Sequence, residues 1–415
     1  MTSAKPYLTV DDLPLQGKTV LLRVDINAPI VDGKVAGKDR IEAAAATVDQ
    51  VASKGAKVVI LAHQGRKGDA DFTSLREHAS ILDAITKCDV SFVEDVAGPL
   101  AIASIKALRP GSALMLENVR GLDDETRKGK ASDHAKADFV KTLAGVADYF
   151  VNDAFSAAHR SQASLVGFTE LMPSAAGLTM DRELTALAQA VDDPERPAVY
   201  FLGGSKPEDS INVMKANFGK GTLDTALLGG LVANLFLVAR GHQLGKPSME
   251  LLEKKGILQL LPQAEELLEA YDDKIVTPED VVMKDGHGHP KTLWVEDLPE
   301  NHPILDLGPE SIASYVEEIR NAGSLMMNGP AGLYEEPPYD KGTRAILKAF
   351  AESDAFSLLG GGHTITAIGE FGHTFDDFGY VSLAGGALMS YLTGETLPAV
   401  DALKQNKARF GAKLH

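Results

Sequence analysis

MDRELTALAQAVDDPERP, Met180 to Pro197, lies near the middle of a 415-residue chain and reads as one helix with a stop. Leu184, Leu187 and Val191 recur at helical spacing, with Ala186, Ala188 and Ala190 between them as strong helix formers. Asp181 and Glu183 fall in the first turn, where negative charge suits exposed N–H groups. Asp193-Pro194 and Arg196-Pro197 end the helix. The chain differs in kind on either side. Before this stretch, apolar strands end in arginine and histidine; after it, they end in glycine. The stretch therefore reads as a connector between an anion-binding half and a nucleotide-binding half.

The length points to two domains, and an apolar fraction of 44% is that of a globular protein. No run of about 18 apolar residues is present, and the first residues, MTSAKPYLTVDDL, lack a charged-then-apolar signal, so a cytoplasmic location is expected. A net charge of −17 argues against general nucleic-acid binding, which needs a basic face. The single cysteine, Cys88, allows no intrachain disulfide and reads as a small, half-buried residue.

Strands and helices alternate. The runs Lys18–Val24, Lys57–Ala62, Val90–Val93, Ala113–Leu116 and Asp148–Val151 read as strands. Helices are expected from Ile41 to Ser53, opened by Asp39-Arg40-Ile41, from Ser74 to about Lys87 with a Ser74/Glu77 capping box, near Leu100–Leu108, and from Asp133 to Ala144. In the second half, strands are expected at Ala198–Leu202, Thr225–Leu228, Lys274–Thr277, Ser324–Met327 and Ala355–Leu359. Helices are expected at Asp209–Phe218, Leu231–Arg240, Leu251–Tyr271 and Glu310–Asn321, with a hairpin within Val281–Asp297. This is the pattern of parallel sheets covered on both faces: an α/β chain with two doubly wound domains joined by a hinge helix.

In such sheets ligands bind beyond the carboxyl ends of the strands. The first half places Asp25, Asn27, His63, Arg66, Glu117, Arg120, Asn152, Asp153, His159 and Arg160 there, and Arg40 opens a helix beside them. Any one of these arginines alone reads as a solvated charge. Four arginines and two histidines at one sheet edge in an acidic chain imply a small, multiply anionic ligand, because guanidinium forks grip phosphate and carboxylate oxygens bidentately. The second half offers Gly203-Gly204-Ser205-Lys206, Gly229-Gly230, Asn328-Gly329-Pro330 and Gly360-Gly361-Gly362 before Thr364. A lone glycine pair is most often a tight turn. Four such blocks after successive strands suggest backbone that approaches a nucleotide closely and helix N-termini facing phosphate. There is no GxxxxGK[ST], no HRD followed by DFG, no GxGxxG after a strand, and no cysteine or histidine cluster of the kind that binds zinc.

These blocks, in this order, resemble the phosphoglycerate kinases over nearly the whole chain: RVDINAP (Arg23–Pro29), DRI (Asp39–Ile41), HQGR (His63–Arg66), ENVR (Glu117–Arg120), VNDAF (Val151–Phe155), AHR (Ala158–Arg160), GGSK (Gly203–Lys206), LDLGP (Leu305–Pro309), NGP (Asn328–Pro330) with Glu335, and the triglycine. The resemblance implies two Rossmann-like domains, 1–180 for 3-phosphoglycerate and 198–396 for nucleotide. A hinge helix at 181–197 would join them, and a tail from about 397 to 415 would return to the first. It implies that Asp25, Ile26, Asn27, Arg40, His63, Gln64, Gly65, Arg66, Arg120 and Arg160 hold 3-phosphoglycerate. Lys206, Gly229, Gly230, Gly308, Asn328, Pro330, Glu335, Gly361, Gly362, His363 and Thr364 would hold ATP or ADP with Mg²⁺. Arg40 and Lys206 would stabilise the transferred phosphoryl group in a lobe-closing, monomeric enzyme of glycolysis. A non-enzymatic two-lobed anion binder, another small-molecule kinase and a dehydrogenase are the rival readings. His363 stands where many members carry a metal-binding aspartate, Ser210 where many have lysine, Lys67 for a proline and Leu383-Ala384 for Thr-Gly, which marks a distant, archaeal-type branch and leaves the metal ligands unassigned.

Overall fold

The structure, a computed structural model, describes residues 5–414. The chain divides into two compact units, Met1–Leu184 with Thr396–His415, and Thr185–Glu395. The division falls within the helix Leu178–Leu187, inside the stretch 181–197 expected to join the domains.

The first unit contains β1 (Thr19–Arg23), a short hairpin of β2 (Ile30–Val31) and β3 (Lys34–Val35), then β4 (Lys57–Leu61), β5 (Val90–Phe92), β6 (Ala113–Met115), β7 (Tyr149–Asn152) and β8 (Ser174–Ala176). Its helices are α1 (Asp39–Ser53), α2 (Arg76–Ile85), α3 (Pro99–Ala107), α4 (Ala131–His134), α5 (Asp138–Ala144) and α6 (Leu178–Leu187). Six strands form one parallel sheet in the order β5-β6-β4-β1-β7-β8. Alternate residues of β1 face opposite cores. Leu22 packs with Val48, Val51 and Leu82 of α1 and α2, and Leu21 with Ile105, Leu143 and Phe150 on the other face. That two-sided burial is why the strands read as unbroken apolar runs.

The second unit contains β9 (Ala198–Leu202), β10 (Thr225–Leu228), β11 (Ile275–Val276), β12 (Asp280–Lys284), β13 (Pro290–Trp294), β14 (Ile304–Leu307), β15 (Ser324–Asn328), β16 (Phe356–Gly360) and β17 (Tyr380–Val381). Its helices are α7 (Pro207–Lys220), α8 (Gly230–Ala239), α9 (Lys246–Lys254), α10 (Leu261–Tyr271), α11 (Pro309–Arg320), α12 (Lys341–Ala351), α13 (Gly362–Glu370) and α14 (Gly385–Leu392). A parallel sheet runs β11-β10-β9-β15-β16-β17, and a separate antiparallel sheet runs β13-β12-β14. The expected hairpin is β12–β13. The last helix, α15 (Pro398–Phe410), covers the β8 edge of the first unit. Buried Asn406 accepts from the Ser174 amide at 2.8 Å and donates to the Thr169 and Met172 carbonyls at 2.6 and 2.8 Å. No helix among the described residues is long and apolar enough to cross a membrane.

Helix α6 begins at Leu178, two residues before the quoted stretch, and its run continues through a π-turn at Ala188–Asp192. Leu184, Leu187 and Val191 are all buried, as their spacing predicts.

Three helix expectations fail. The single helix expected at Leu251–Tyr271 is broken at Gly256, whose φ of +69° is left-handed. That expected at Asp133–Ala144 divides into α4 and α5. The Ser74/Glu77 capping box does not form. Ser74 donates to Glu117 Oε2 at 2.6 Å, Glu117 Oε1 accepts the Leu75 amide at 2.9 Å, and Glu77 accepts the Val35 amide at 3.3 Å.

Candidate active site

In each parallel sheet the chain leaves its first strand in one direction and returns on the other side, so the strand order reverses beside β1 and beside β9. Such switch points leave a crevice at the carboxyl ends. In the first unit it is lined from β1, β4, β7 and the start of α1.

Arg23 closes β1 and is wholly buried. Its guanidinium donates to Ser164 Oγ at 2.8 Å, to the Val24 carbonyl at 2.5 Å and to His63 Nδ1 at 3.0 Å. Ser164 in turn donates through its amide and hydroxyl to the buried Glu125 carboxylate at 2.8 and 2.7 Å. Arginine has no acceptor, so His63 Nδ1 must carry a lone pair, which assigns the ring proton to Nε2. Burial and the Arg23 charge hold His63 well below its ordinary pKa. His63 is thus a neutral N–H donor at physiological pH.

Asp25 sits two residues beyond. Burial works to raise its pKa, but His63, the Arg40 guanidinium, the Ser156 hydroxyl and the Asn27 amide hold it below the ordinary value. With His63 neutral, Arg40 is the standing cation. Its Nη1 lies 2.8 Å from Asp25 Oδ2 and 3.3 Å from the Asn27 carbonyl, and 36% of its side chain remains exposed. Arg40 is therefore oriented yet reachable. Asn27 Oδ1 accepts the Gly65 amide at 2.8 Å, tying the β1 and β4 ends together. Gly65 has a φ of +64°, and a Cβ there would lie 2.5 Å from the Asp71 backbone, so no other residue fits.

Arg120 donates to the Gly65 carbonyl. Burial, then the nearby charges of Arg160 and Arg23, push Arg120 down to about 10. Arg160 is lowered by burial and by Arg66, while Arg66 itself is exposed. Like charges gathered and partly desolvated are relieved by a multiply charged anion.

Several expected ligand residues have internal work instead. Ile26 is wholly buried in the core. Gln64 is also wholly buried and clamps Ala28 through both its amide and its carbonyl at 2.9 Å. Ile26 and Gln64 can meet a ligand only through backbone. Glu117 caps α2. Asp153 takes Thr179 and Met180 amides at 2.7 and 3.1 Å, capping α6, with Thr47 Oγ1 at 2.6 Å.

In the second unit the glycine blocks meet one another at the switch point. Gly203 and Gly204 amides donate to the Asn328 and Pro330 carbonyls at 2.9 and 2.8 Å, and a Cβ on Gly203 would lie 2.2 Å from Pro330 O. A Cβ on Gly230 would lie 2.8 Å from the Gly204 backbone. These glycines are needed first for turn-on-turn packing. Gly361, at φ +92°, approaches Asn328 Oδ1, and the buried Thr364 hydroxyl accepts the Gly329 amide at 2.9 Å. Gly362 has open space above it at the start of α13, and Lys206, exposed at the start of α7, makes no ion pair among the described residues.

Beside these turns lies a cavity of about 360 Å³ lined by Gly204, Gly230, Pro330, Glu335 and His363 among others. Glu335 Oε1 is 3.3 Å from His363 Nδ1, with the Tyr334 hydroxyl 3.4 Å from the same nitrogen. Gly308 departs from expectation. It starts α11 tight against Asp280, which already takes the Ser311 and Glu310 amides at 2.8 and 3.2 Å, so this helix N-terminus is occupied by a carboxylate of the chain.

Asp306 also lines the cavity. Its Oδ2 accepts the Gly342 amide at 2.8 Å, its Oδ1 is buried with no hydrogen-bond partner among the described residues, and burial pushes it up to about 7. Burial likewise raises Asp153 to about 6. Each folded pKa stands above the ordinary 3.8. The native state therefore binds more protons than the unfolded chain between the two values, and the stabilisation present at low pH is lost as pH rises through that window. Asp306→Asn should flatten the fall in urea midpoint between pH 4 and about 7; an unchanged slope would contradict this assignment.

The model of the phosphoglycerate kinase family matches residues 10–395. A phosphoglycerate kinase of Methanopyrus kandleri is 45% identical over 395 residues, covering 95% of this chain and 97% of its own. One from Pyrococcus abyssi is 39% identical over 403 residues, covering 96% and 98%. The crystal structure of phosphoglycerate kinase from Pyrococcus horikoshii OT3 superposes with a TM-score of 0.85 at 38% identity, over 97% of this chain and 100% of that one. The structure of phosphoglycerate kinase from Coxiella burnetii gives 0.84 at 32%, over 96% and 99%. Matched from end to end in sequence and in fold, the chain belongs to the phosphoglycerate kinase family.

Proposed function

We propose a division of labour for the reaction that the family fixes. The chain is a kinase that moves a phosphoryl group between ATP and the carboxylate of 3-phosphoglycerate, in glycolysis. In our reading the first unit holds 3-phosphoglycerate. Arg66, Arg120 and Arg160 grip the phosphate it keeps, His63 donates through Nε2–H, and Asp25 and Asn27 meet its hydroxyl. The second unit holds the nucleotide, with Lys206 and the α13 N-terminus at the phosphates and Glu335 at the ribose. The observation that supports this reading is the gathering of Arg66, Arg120 and Arg160 at one sheet edge, where burial and then the neighbouring guanidinium charges lower Arg120 and Arg160, a strain that a multiply charged anion would relieve.

A carboxylate attacker is already ionised, so the chain needs no general base. Its work is alignment and neutralisation of charge on the moving oxygens. Arg40, fixed by Asp25, faces the attacking carboxylate, and Lys206 faces the leaving phosphates. Magnesium would supply further positive charge on those phosphate oxygens. Among the described residues no three acidic or histidine side chains converge. Glu335 beside a histidine fits an ion held by phosphate oxygens and water rather than by a cage of side chains.

The test is a coupled assay: purified protein, ATP, magnesium and 3-phosphoglycerate, with glyceraldehyde-3-phosphate dehydrogenase and NADH. NADH consumption dependent on 3-phosphoglycerate is expected. No consumption above the substrate-free control would overturn the reading.

A further inference from the structure

The ends of β1 and β7 lie side by side, because Arg23 and Asn152 are partners across the sheet. Asp25 follows two residues after the first, and Ser156 four residues after the second. Ser156 sits half-buried in a single 3₁₀ turn, Phe155–Ala157, between two buried neighbours. Backbone closes that turn: the Ala157 amide donates to the Ala154 carbonyl at 3.1 Å, and the Ala158 amide to the Phe155 carbonyl at 2.8 Å. The next step brings in Arg160, whose amide donates to the Ala157 carbonyl at 2.9 Å. The Ser156 hydroxyl is therefore not needed to build the turn. It donates instead to Asp25 Oδ2, the oxygen that Arg40 Nη1 meets at 2.8 Å. The other oxygen, Oδ1, takes the Asn27 amide at 3.0 Å. Three donors from three parts of the chain thus hold one buried carboxylate, and such donors are what keep a buried carboxylate ionised.

We infer that Ser156 is a positioning residue for phosphoryl transfer: its hydroxyl fixes the Asp25 carboxylate and, through it, the Arg40 guanidinium at the reacting oxygens. The inference rests on the reading of Arg40 as the cation beside the attacking carboxylate. A carboxylate held at one oxygen by Asn27 can still turn about its Cβ–Cγ bond. The two donors on the other oxygen differ in stiffness. Arg40 is long and partly exposed, and it can follow Oδ2 as that oxygen swings. Ser156 is short and mounted on a closed turn, so it sets where Oδ2 stands and Arg40 aligns to it. The donor is also neutral. A cation in its place would compete for Asp25 and release Arg40, whereas a hydroxyl leaves the ion pair intact. Misplacement of Arg40 is felt where charge spreads in the transition state, and much less in substrate binding led by the phosphate grip. A purely structural role would show elsewhere: a tie between β1 and the turn that leads to Arg160 would act on the phosphate grip, and hence on KM.

The experiment is a double-mutant cycle on steady-state kinetics: the intact protein, Ser156→Ala, Arg40→Ala and the two substitutions together, with Ser156→Thr as the variant that keeps the hydroxyl. Ser156→Ala should lower kcat about tenfold and leave KM for 3-phosphoglycerate within about twofold, the effect of one lost hydrogen bond to a charged group. On the Arg40→Ala background the same substitution should change kcat by less than about twofold, because a residue that acts through Arg40 then has nothing to act on. Ser156→Thr should keep kcat within about threefold of the intact protein. Should Ser156→Ala fail to fold, Ser156→Gly removes the same hydroxyl and is read in the same way. Equal proportional losses on both backgrounds, or a loss confined to KM, would make Ser156 a tie for the Arg160 turn and overturn the inference. A Ser156→Thr protein as slow as Ser156→Ala would show that the hydroxyl is not the agent. If Arg40→Ala loses kcat while Ser156→Ala keeps it, only the role of Ser156 is wrong. If Arg40→Ala itself keeps its kcat, the reading of Arg40 falls, and this inference with it.

Discussion

Arg40→Ala should lower kcat by at least about a hundredfold while KM for 3-phosphoglycerate changes by less than about tenfold. The arginines that follow strands, Arg66, Arg120 and Arg160, gather on one another and suit a phosphate that stays in place during the reaction. Arg40 differs in origin and surroundings. It comes from the first turn of α1, and its guanidinium is aimed by Asp25 at 2.8 Å and by the Asn27 carbonyl at 3.3 Å. Asp25 is itself fixed by Ser156 and by the Asn27 amide. A cation positioned that firmly adds little to ground-state binding. It acts where charge spreads over the attacking oxygen and the transferred group, and such an interaction appears in kcat. Steady-state kinetics of the variant decide this. A retained kcat with a raised KM would make Arg40 one more phosphate grip.

Arg23→Met should destabilise the protein by about 3–5 kcal/mol, the usual effect of removing one partner from a buried charge pair. Arg23 and Glu125 are both wholly buried and meet through Ser164. Burial already raises the Glu125 pKa, and Arg23 is the largest influence opposing that rise. Without it Glu125 is left with the Ser164 amide and hydroxyl and the weaker influence of the Arg120 charge. Its folded pKa then climbs further above the ordinary 4.5, so the variant recovers stability as pH falls through that raised value. Urea unfolding at several pH values should show a large deficit near neutrality that narrows toward acid. A midpoint equal to that of the unaltered protein at pH 7 would show that the network contributes nothing. The same substitution frees His63 Nδ1 and, with it, the choice of tautomer.

Much of this fold was legible because parallel strands buried on both faces leave an unbroken apolar run. Ala198–Leu202 and Thr225–Leu228 are found residue for residue. The hinge-region helix was legible because Leu184, Leu187 and Val191 keep helical spacing. What escaped was set by contacts distant in sequence. Ser156 reaches Asp25 across 131 positions, and nothing local marks it. Arg23 carried a signal, a cation inside an apolar run, but its partners Ser164 and Glu125 lie far along the chain. Strand-end acids misled in a consistent way. Glu117 and Asp153 look like ligand groups in sequence, yet each caps the N-terminus of a neighbouring helix. Asp280 does the same at α11, which is why Gly308 is short of space rather than open to a nucleotide. Strand-end arginines have no such capping use here; apart from Arg23, the Gly65 contact of Arg120 and the His159 contact of Arg160 at 3.2 Å, they keep their guanidinium groups for the crevice, so their reading as an anion site stands closer to their geometry.

The central claim is that one unit holds the acceptor and the other the nucleotide, and equilibrium binding tests it most directly. Calorimetric titration of 3-phosphoglycerate and of ADP should be run on the unaltered protein, Arg120→Ala and Lys206→Ala. Loss of a charge-assisted contact predicts that Arg120→Ala weakens 3-phosphoglycerate at least about tenfold and leaves ADP within about twofold, and that Lys206→Ala does the reverse. An Arg120→Ala protein that binds 3-phosphoglycerate normally, or a Lys206→Ala protein that loses 3-phosphoglycerate and keeps ADP, would contradict it.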